Sequence, residues 1–253
     1  MERPLILISN DDGYEAKGIK FLADVARHFG DVVVVAPDGA RSGAALSVTF
    51  HDPVRARLIS KEDGLTVYAC SGTPTDCTKL GLAELCPRRP DLVLAGINHG
   101  DNSAVNVHYS GTMGVVIEGC LKEIPAIGFS HFSHGMDTDF MPMRKYIEQI
   151  ISKVLCEGLP KGVCLNVNAP DIEEYRGIKV CSMGQGIWRK EWVERVSPRG
   201  WTYYWLVGEF DSDDRPDDVT DWNMMHQGYV TITPTRIDMT ATEVMDEMRN
   251  LFE

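Results

Sequence analysis

Short apolar runs alternate with longer amphipathic stretches through the first half of the chain, the pattern of a mainly parallel sheet covered by helices. The runs at 5–9, 32–36, 65–69, 92–97 and 126–130 read as strands, and 18–29, 74–85 and 114–122 carry apolar residues at helical spacing. Thr73, Pro74 and Asp76 predict a helix start: a capping hydroxyl, a proline at the first helical position and an acid near the positive dipole end. The second half is less regular, with a helix expected over 140–155, a strand over 163–167 and β-like segments at 178–183 and 192–207. Trp188, Trp192, Trp201 and Trp205 gather there with Tyr203 and Tyr204. A projecting hairpin and core packing both account for them, and oligomer interfaces also favour aromatic residues. The acidic stretch 211–221 reads as a solvated loop. Without an internal repeat or a low-complexity linker, one continuous domain over 1–253 is expected.

Composition narrows the function classes. At 253 residues and 43% hydrophobic, the chain is long and apolar enough to build a sizeable core. A formal charge of -12 argues against nucleic-acid polymers and anionic membranes as partners, since both are polyanions. A small anionic substrate stays open, because a bound cation locally reverses the sign of an acidic site. Seven cysteines without C-x-x-C spacing read mostly as buried small hydrophobes. With no charged-then-apolar leader before the run at 5–8 and no apolar stretch of roughly 18 residues, a reducing cytoplasmic setting is expected.

The chemistry gathers at predicted strand ends. Asn10, Asp11, Asp12 and Gly13 follow the first strand, putting two carboxylates where a parallel sheet opens into its ligand crevice. Adjacent anions repel unless a cation or proton intervenes, and hard divalent metals prefer such oxygen ligands; the same four residue types also favour a turn. After the second strand, Gly39, Arg41, Ser42 and Gly43 form a loop on the same sheet edge. The Ser42 hydroxyl suits metal or phosphate, the glycines allow close backbone approach, and Arg41 would neutralise phosphate; an ordinary polar loop is the plainer alternative. After the strand at 92–97, Asn98 offers a neutral amide oxygen, and His99, Asn102 and His108 share its loop. Ser110, Gly111 and Thr112 then lead into a helix, where hydroxyls and free amides make either a cap or a phosphate seat. A further phosphate seat is conceivable at Gly72 and Thr73. His51, His131, His134 and His226 lack ligand spacing, and His28 late in a helix needs no further role.

In their order along the chain these motifs resemble the SurE family, the survival-protein nucleotidases. The resemblance is carried by Ser-Asn-Asp-Asp-Gly at 9–13, Val-Ala-Pro-Asp at 35–38, Arg-Ser-Gly at 41–43, Gly-Thr-Pro-Thr-Asp-Cys at 72–77, Gly-Ile-Asn-His-Gly at 96–100 and Tyr-Ser-Gly-Thr at 109–112. Weaker matches are Leu-Asn-Val-Asn-Ala-Pro at 165–170 and Gly-Tyr-Val-Thr-Ile-Thr-Pro at 228–234. The resemblance implies an α/β fold with a Rossmann-like, mainly parallel sheet flanked by helices, a projecting β-hairpin, and C-terminal elements exchanged between subunits. The hairpin and oligomerisation elements would fall at about 185–253, in a homodimer or homotetramer. It also implies hydrolysis of nucleoside 5'- and 3'-monophosphates or small phosphoesters with one divalent metal per subunit, Mg²⁺ or Mn²⁺. The metal set carries over to Asp11, Asp12, Ser42 and Asn98, and the substrate-facing loop to Asn102 and to Ser110, Gly111 and Thr112. Two places depart: Thr233-Pro234-Thr235-Arg236 stands where family members usually read Thr-Pro-Leu-His after the last strand, and 103–108 lacks the common acidic pair.

The mechanism this implies is attack on phosphorus by a metal-activated water, with Asp11 and Asp12 holding the metal and Asn102, Ser42, Gly43, Ser110, Gly111 and Thr112 around the phosphate. A second reading makes Asp11 or Asp12 a nucleophile forming an aspartyl-phosphate. A third is a nucleotide sensor that binds without turnover. A P-loop NTPase is disfavoured by the missing G-x-x-x-x-G-K-[ST], and a zinc hydrolase by the all-oxygen candidate ligands.

Overall fold

In the computed structural model, which describes residues 3–133, 135 and 137–253, the β-branched runs become strands of one sheet. The reading of His134 lies outside the described residues. The order is β1 (Leu5–Ser9), α1 (Lys17–Ala26), β2 (Asp31–Pro37), β3 (Ala56–Glu62), β4 (Leu65–Cys70), α2 (Pro74–Leu80), β5 (Leu92–His99), α3 (Gly111–Leu121), β6 (Ala126–His131), α4 (Arg144–Glu157) and β7 (Val163–Ala169). Then come β8 (Ile178–Val180), β9 (Gly186–Arg189), β10 (Trp192–Val196), β11 (Thr202–Leu206), β12 (Glu209–Ser212), α5 (Asp221–His226), β13 (Val230–Arg236) and α6 (Met245–Phe252).

Among the described residues, nine strands run in the order β3-β4-β2-β1-β5-β6-β7-β13-β8. From β4 to β7 they are parallel; β3 and β13 pair antiparallel with β4 and β7. The chain leaves β1 toward β2 on one side and later returns to β5 on the other, so β1 and β5 flank a topological switch point, where open α/β sheets place ligands.

Period-two alternation divides the core between two layers. Ile6 and Ile8 face a cluster containing Leu22 and Val25 of α1 and Ile147 and Ile151 of α4. Leu5 and Leu7 face the opposite cluster, with Cys77 of α2 and Val115 and Val116 of α3. The mainly parallel α/β class is therefore observed, with helices on both faces.

Several elements differ from expectation. β3, absent from the apolar pattern, is an exposed edge strand turned back onto β4, so neither of its faces needs apolar residues. The stretch at 74–85 is α-helical only to Leu80 and then widens into a π turn over Gly81–Leu85. The acidic stretch 211–221 is not one solvated loop: it ends β12 and begins α5, whose first residue, Asp221, is buried. Thr233 to Arg236 lie within β13, not after it. The aromatic segment is a hairpin of β10 and β11 that leaves Trp192, Trp201 and Trp205 64%, 65% and 62% exposed, which excludes core packing for these three. Among the described residues no helix is long and apolar enough to cross a membrane.

Candidate active site

At the end of β1 the chain makes a turn whose work falls to Asn10, not to the acids. The buried Asn10 amide donates to the Gly13 carbonyl at 3.0 Å and accepts from the Gly13 N–H at 3.1 Å. The turn and the carboxylate pair are thus one structure. Asp11 is 4% exposed and its Oδ1 accepts the Thr112 hydroxyl at 2.7 Å. Burial pushes its pKa up to about 6, the Thr112 hydrogen bond opposes this, and the neighbouring Asp12 charge adds to it. Burial also raises Asp12, opposed by the His99 N–H, which donates to Asp12 Oδ2 at 3.2 Å.

The other predicted residues converge on this pair from three directions. The Arg41 N–H donates to the Asp11 carbonyl at 2.7 Å and the Ala45 N–H to the Tyr109 carbonyl at 3.1 Å, so both ends of the Ser42–Gly43 turn are pinned beside the aspartates. Ser42 and Gly43 themselves are exposed. Asn98 lies in the last turn-ward register of β5, opposite Ser130, rather than after the strand. Its Nδ2 donates to the Gly100 carbonyl at 2.8 Å, which leaves Oδ1 as its acceptor. From the third side comes the N-terminus of α3, which begins at Gly111, three residues earlier than its apolar spacing predicts. A Cβ added at Gly111 would sit 2.8 Å from that of Asp11, and one at Gly114 would sit 2.4 Å from the Ala45 carbonyl oxygen. Glycine at these positions is what lets the helix end meet both loops. Ser110 caps the helix by accepting the Met113 N–H at 3.0 Å, and the Thr112 hydroxyl and Gly111 amide are committed to Asp11, so the partial positive charge of the helix end is what remains for an anion.

The remaining candidates divide. Asn102 is 5% exposed, its Nδ2 donating to Ser130 Oγ at 2.8 Å, so it belongs to the wall behind the loop. Thr73 forms the predicted helix start as a full capping box with Asp76, and its hydroxyl donates to the Ser47 carbonyl at 2.7 Å. That leaves little for a phosphate at Gly72 and Thr73. His99 and His131 pack edge-on against Phe140, with ring centroids 5.3 and 5.7 Å away, and burial lowers the pKa of His131. His51, His108 and His226 are exposed.

The donor set fits a hard divalent cation. Two carboxylates, one of them buried, have no lysine or arginine ion-pair partner among the described residues, and His99 is the one positive influence on Asp12. The hydroxyl of Ser42 and the amide oxygen of Asn98 add ligands without adding repulsion. No group of three or more His, Cys, Asp or Glu side chains with metal-binding arrangement occurs among the described residues, so any cation site here is of the mixed oxygen type.

Three residues of this region escape sequence reasoning. Asn166 and Asn168 of β7 bond to Asn102, and only their repeated place in the Leu-Asn-Val-Asn-Ala-Pro run hints at it. Asp221 accepts the Ala104 N–H at 3.1 Å and the Gly184 N–H at 2.8 Å, joining α5 to the loop after β5. Burial raises its pKa, the Gly184 and Ala104 amides opposing.

A family model described as "Survival protein SurE" matches residues 6–190. A "5'-nucleotidase SurE" of Phocaeicola vulgatus is 52% identical over 250 residues, covering 98% of this chain and 97% of that one. A protein of the same description from Bacteroides thetaiotaomicron is 51% identical over 247 residues, covering 98% and 95%. Among solved structures, the SurE protein from Aquifex aeolicus matches with a TM-score of 0.84 at 37% identity, covering 99% of this chain and all of that one.

Proposed function

The chain belongs to the SurE family, and from that premise we propose that it is a 5'-nucleotidase, a metal-dependent phosphomonoesterase hydrolysing nucleoside 5'- and 3'-monophosphates to nucleoside and phosphate. The observation that carries the reading is the uncompensated carboxylate pair Asp11 and Asp12 at the sheet's switch point, facing the positive end of α3. One divalent cation, Mg²⁺ or Mn²⁺, would be held by Asp11, Asp12, Ser42 and Asn98. When bound, it would stabilise negative charge on the phosphoryl group and lower the pKa of nearby water.

The chain's own groups do the rest. The Thr112 hydroxyl and the His99 N–H each hold one carboxylate oxygen, so both aspartates are oriented before anything binds. Ser42 and Gly43 form a pinned, exposed turn that would border a small anion beside the aspartates, and the α3 terminus would set its partial positive charge against the phosphate. Asn102, expected as a catalytic and substrate-binding residue, shapes this loop from behind, since its side chain is buried and bonded to Ser130. Asp11 is poorly suited to attack phosphorus itself, since it is 4% exposed with one oxygen engaged by Thr112. The exposed hairpin β10–β11 and the unburied helix α6 support assembly through residues 185–253 into a homodimer or homotetramer. The acidic charge fits small phosphoesters in preference to nucleic-acid polymers.

Phosphate release from a panel of nucleoside 5'- and 3'-monophosphates, with Mg²⁺, Mn²⁺ or chelator, tests this. Chelator-sensitive release is expected. Binding without release would replace the enzyme by a sensor, and release unaffected by chelator would remove the metal.

A further inference from the structure

The Leu-Asn-Val-Asn-Ala-Pro run has no part in the chemistry above, yet it places two primary amides in the middle of the sheet. β7 lies between β6 and β13, and Asn166 and Asn168 are 1% and 0% exposed. Buried amides at a core position are costly unless every polar atom finds a partner. Here the partners form a closed ring. The Asn102 N–H donates to Asn168 Oδ1 at 2.7 Å, Asn168 Nδ2 donates to Asn166 Oδ1 at 3.1 Å, and Asn166 Nδ2 donates to the Asn102 carbonyl at 2.7 Å. Donors and acceptors alternate around it without conflict. The Asn102 side chain is held in turn by Ser130 of β6. Both backbone groups of Asn102 are therefore gripped by side chains of a strand two places away from β5 in the sheet.

We infer that Asn166 and Asn168 are positioning residues for the reaction: they clamp the Asn102 peptide and so fix the loop that leads from Asn98 to the Ser110–Thr112 turn. The inference rests on the nucleotidase reading of that loop. A structural role alone would lower stability; a positioning role lowers turnover of folded enzyme, because small displacements at a reacting centre are costly in rate.

The test compares Asn166→Ala and Asn168→Ala with Thr231→Val, which removes a buried hydroxyl bonded at 3.3 Å to the Asn168 carbonyl without touching the ring. Turnover and KM on a nucleoside monophosphate, melting temperature and hydrogen exchange of the Asn102 amide are read together. Both alanine variants are expected to lose about 10- to 100-fold in kcat with KM changed less than about threefold, and to expose the Asn102 amide to exchange. Thr231→Val is expected to lose stability while keeping kcat within about twofold. Should an alanine variant fail to fold, Asn168→Asp keeps the acceptor for the Asn102 N–H while altering the link to Asn166, and a lowered kcat with a protected Asn102 amide is the expected result. Unchanged kcat in the folded variants, or an equal loss in Thr231→Val, overturns the inference. If the unaltered protein releases no phosphate from any nucleotide, the nucleotidase reading fails; if it does release phosphate and the folded alanine variants protect the Asn102 amide as the unaltered protein does, the clamp fails alone.

Discussion

Asp11 and Asp221 are both buried, at 4% and 0% exposure, and burial raises the pKa of each; they differ in what surrounds the carboxylate. Asp221 Oδ1 accepts N–H groups from Gly184 at 2.8 Å, Trp222 at 2.8 Å and Ala104 at 3.1 Å, and its Oδ2 accepts the Thr233 hydroxyl at 3.1 Å. Asp11 has the Thr112 hydroxyl, the Gly111 amide and its own backbone amide, and beside it a second anion in Asp12. The first is a closed structural knot whose lone pairs are occupied. The second is short of positive charge, which is the condition for taking up a cation. Depth of burial therefore does not distinguish a fold-holding acid from a site acid. On the proposed reading, the second anion beside Asp11 does.

The same substitution made at both positions puts this contrast to its strongest test. Asp11→Asn removes one charge from the pair and is expected to lower phosphate release by at least about 10³-fold, roughly 4 kcal/mol of barrier, with an unchanged or slightly raised melting temperature. Activity within tenfold of the unaltered protein would show that Asp11 is not a site acid. Asp221→Ala strands three buried N–H groups and is expected to cost about 3 kcal/mol in urea unfolding. Asp221→Asn keeps an amide oxygen for those N–H groups and can donate from Nδ2 to Thr233, so its cost is expected to stay within about 1 kcal/mol. An asparagine variant as unstable as the alanine one would mean that Asp221 acts through its charge.

Cation binding separates the two aspartates by another measurement. Mg²⁺ or Mn²⁺ at about 100 times its dissociation constant is expected to stabilise the protein by about 2.7 kcal/mol, seen as a concentration-dependent rise in melting temperature. Asp221→Asn should keep this rise and Asp11→Asn should lose it. A rise preserved in Asp11→Asn would move the cation elsewhere.

How much of this is legible in the sequence follows the same division. Asp11, Asp12, Asn98 and the Ser110–Thr112 turn stand at the ends of apolar runs, and a parallel sheet brings such ends to one edge whatever else the chain does. The lone strands of the core are legible for a related reason, since their side chains meet apolar neighbours on both faces. β3 is not, because an edge strand with both faces wet carries no apolar signal. Asp221 sits among acids that composition assigns to the surface, and only its contacts with Ala104, Gly184 and Thr233, all distant in the chain, make it internal. Asn166 and Asn168 read as polar interruptions of a strand; their partner, Asn102, is fixed by strand order, which local pattern does not encode. For the aromatic segment the pattern allows both hairpin and core, and exposure decides.

The finest form of the contrast deletes one hydroxyl beside each acid. Thr112→Val removes the 2.7 Å bond to Asp11 and Thr233→Val the 3.1 Å bond to Asp221, both from buried positions and with nearly the same change of shape. Each is expected to cost about 1 kcal/mol of stability, the usual net value of one such bond. Activity is where they should part. On the proposed reading Thr112 orients an acid whose other oxygen faces the cation, so its loss is expected to lower phosphate release about tenfold and to weaken the cation-dependent rise in melting temperature. Thr233 is one of four donors on an acid that meets neither cation nor substrate, so its loss should leave both within about twofold. Equal losses of activity in the two variants would place Asp221, through the Ala104 amide, in the same mechanical unit as the site, and the second anion beside Asp11 would then no longer separate the two acids.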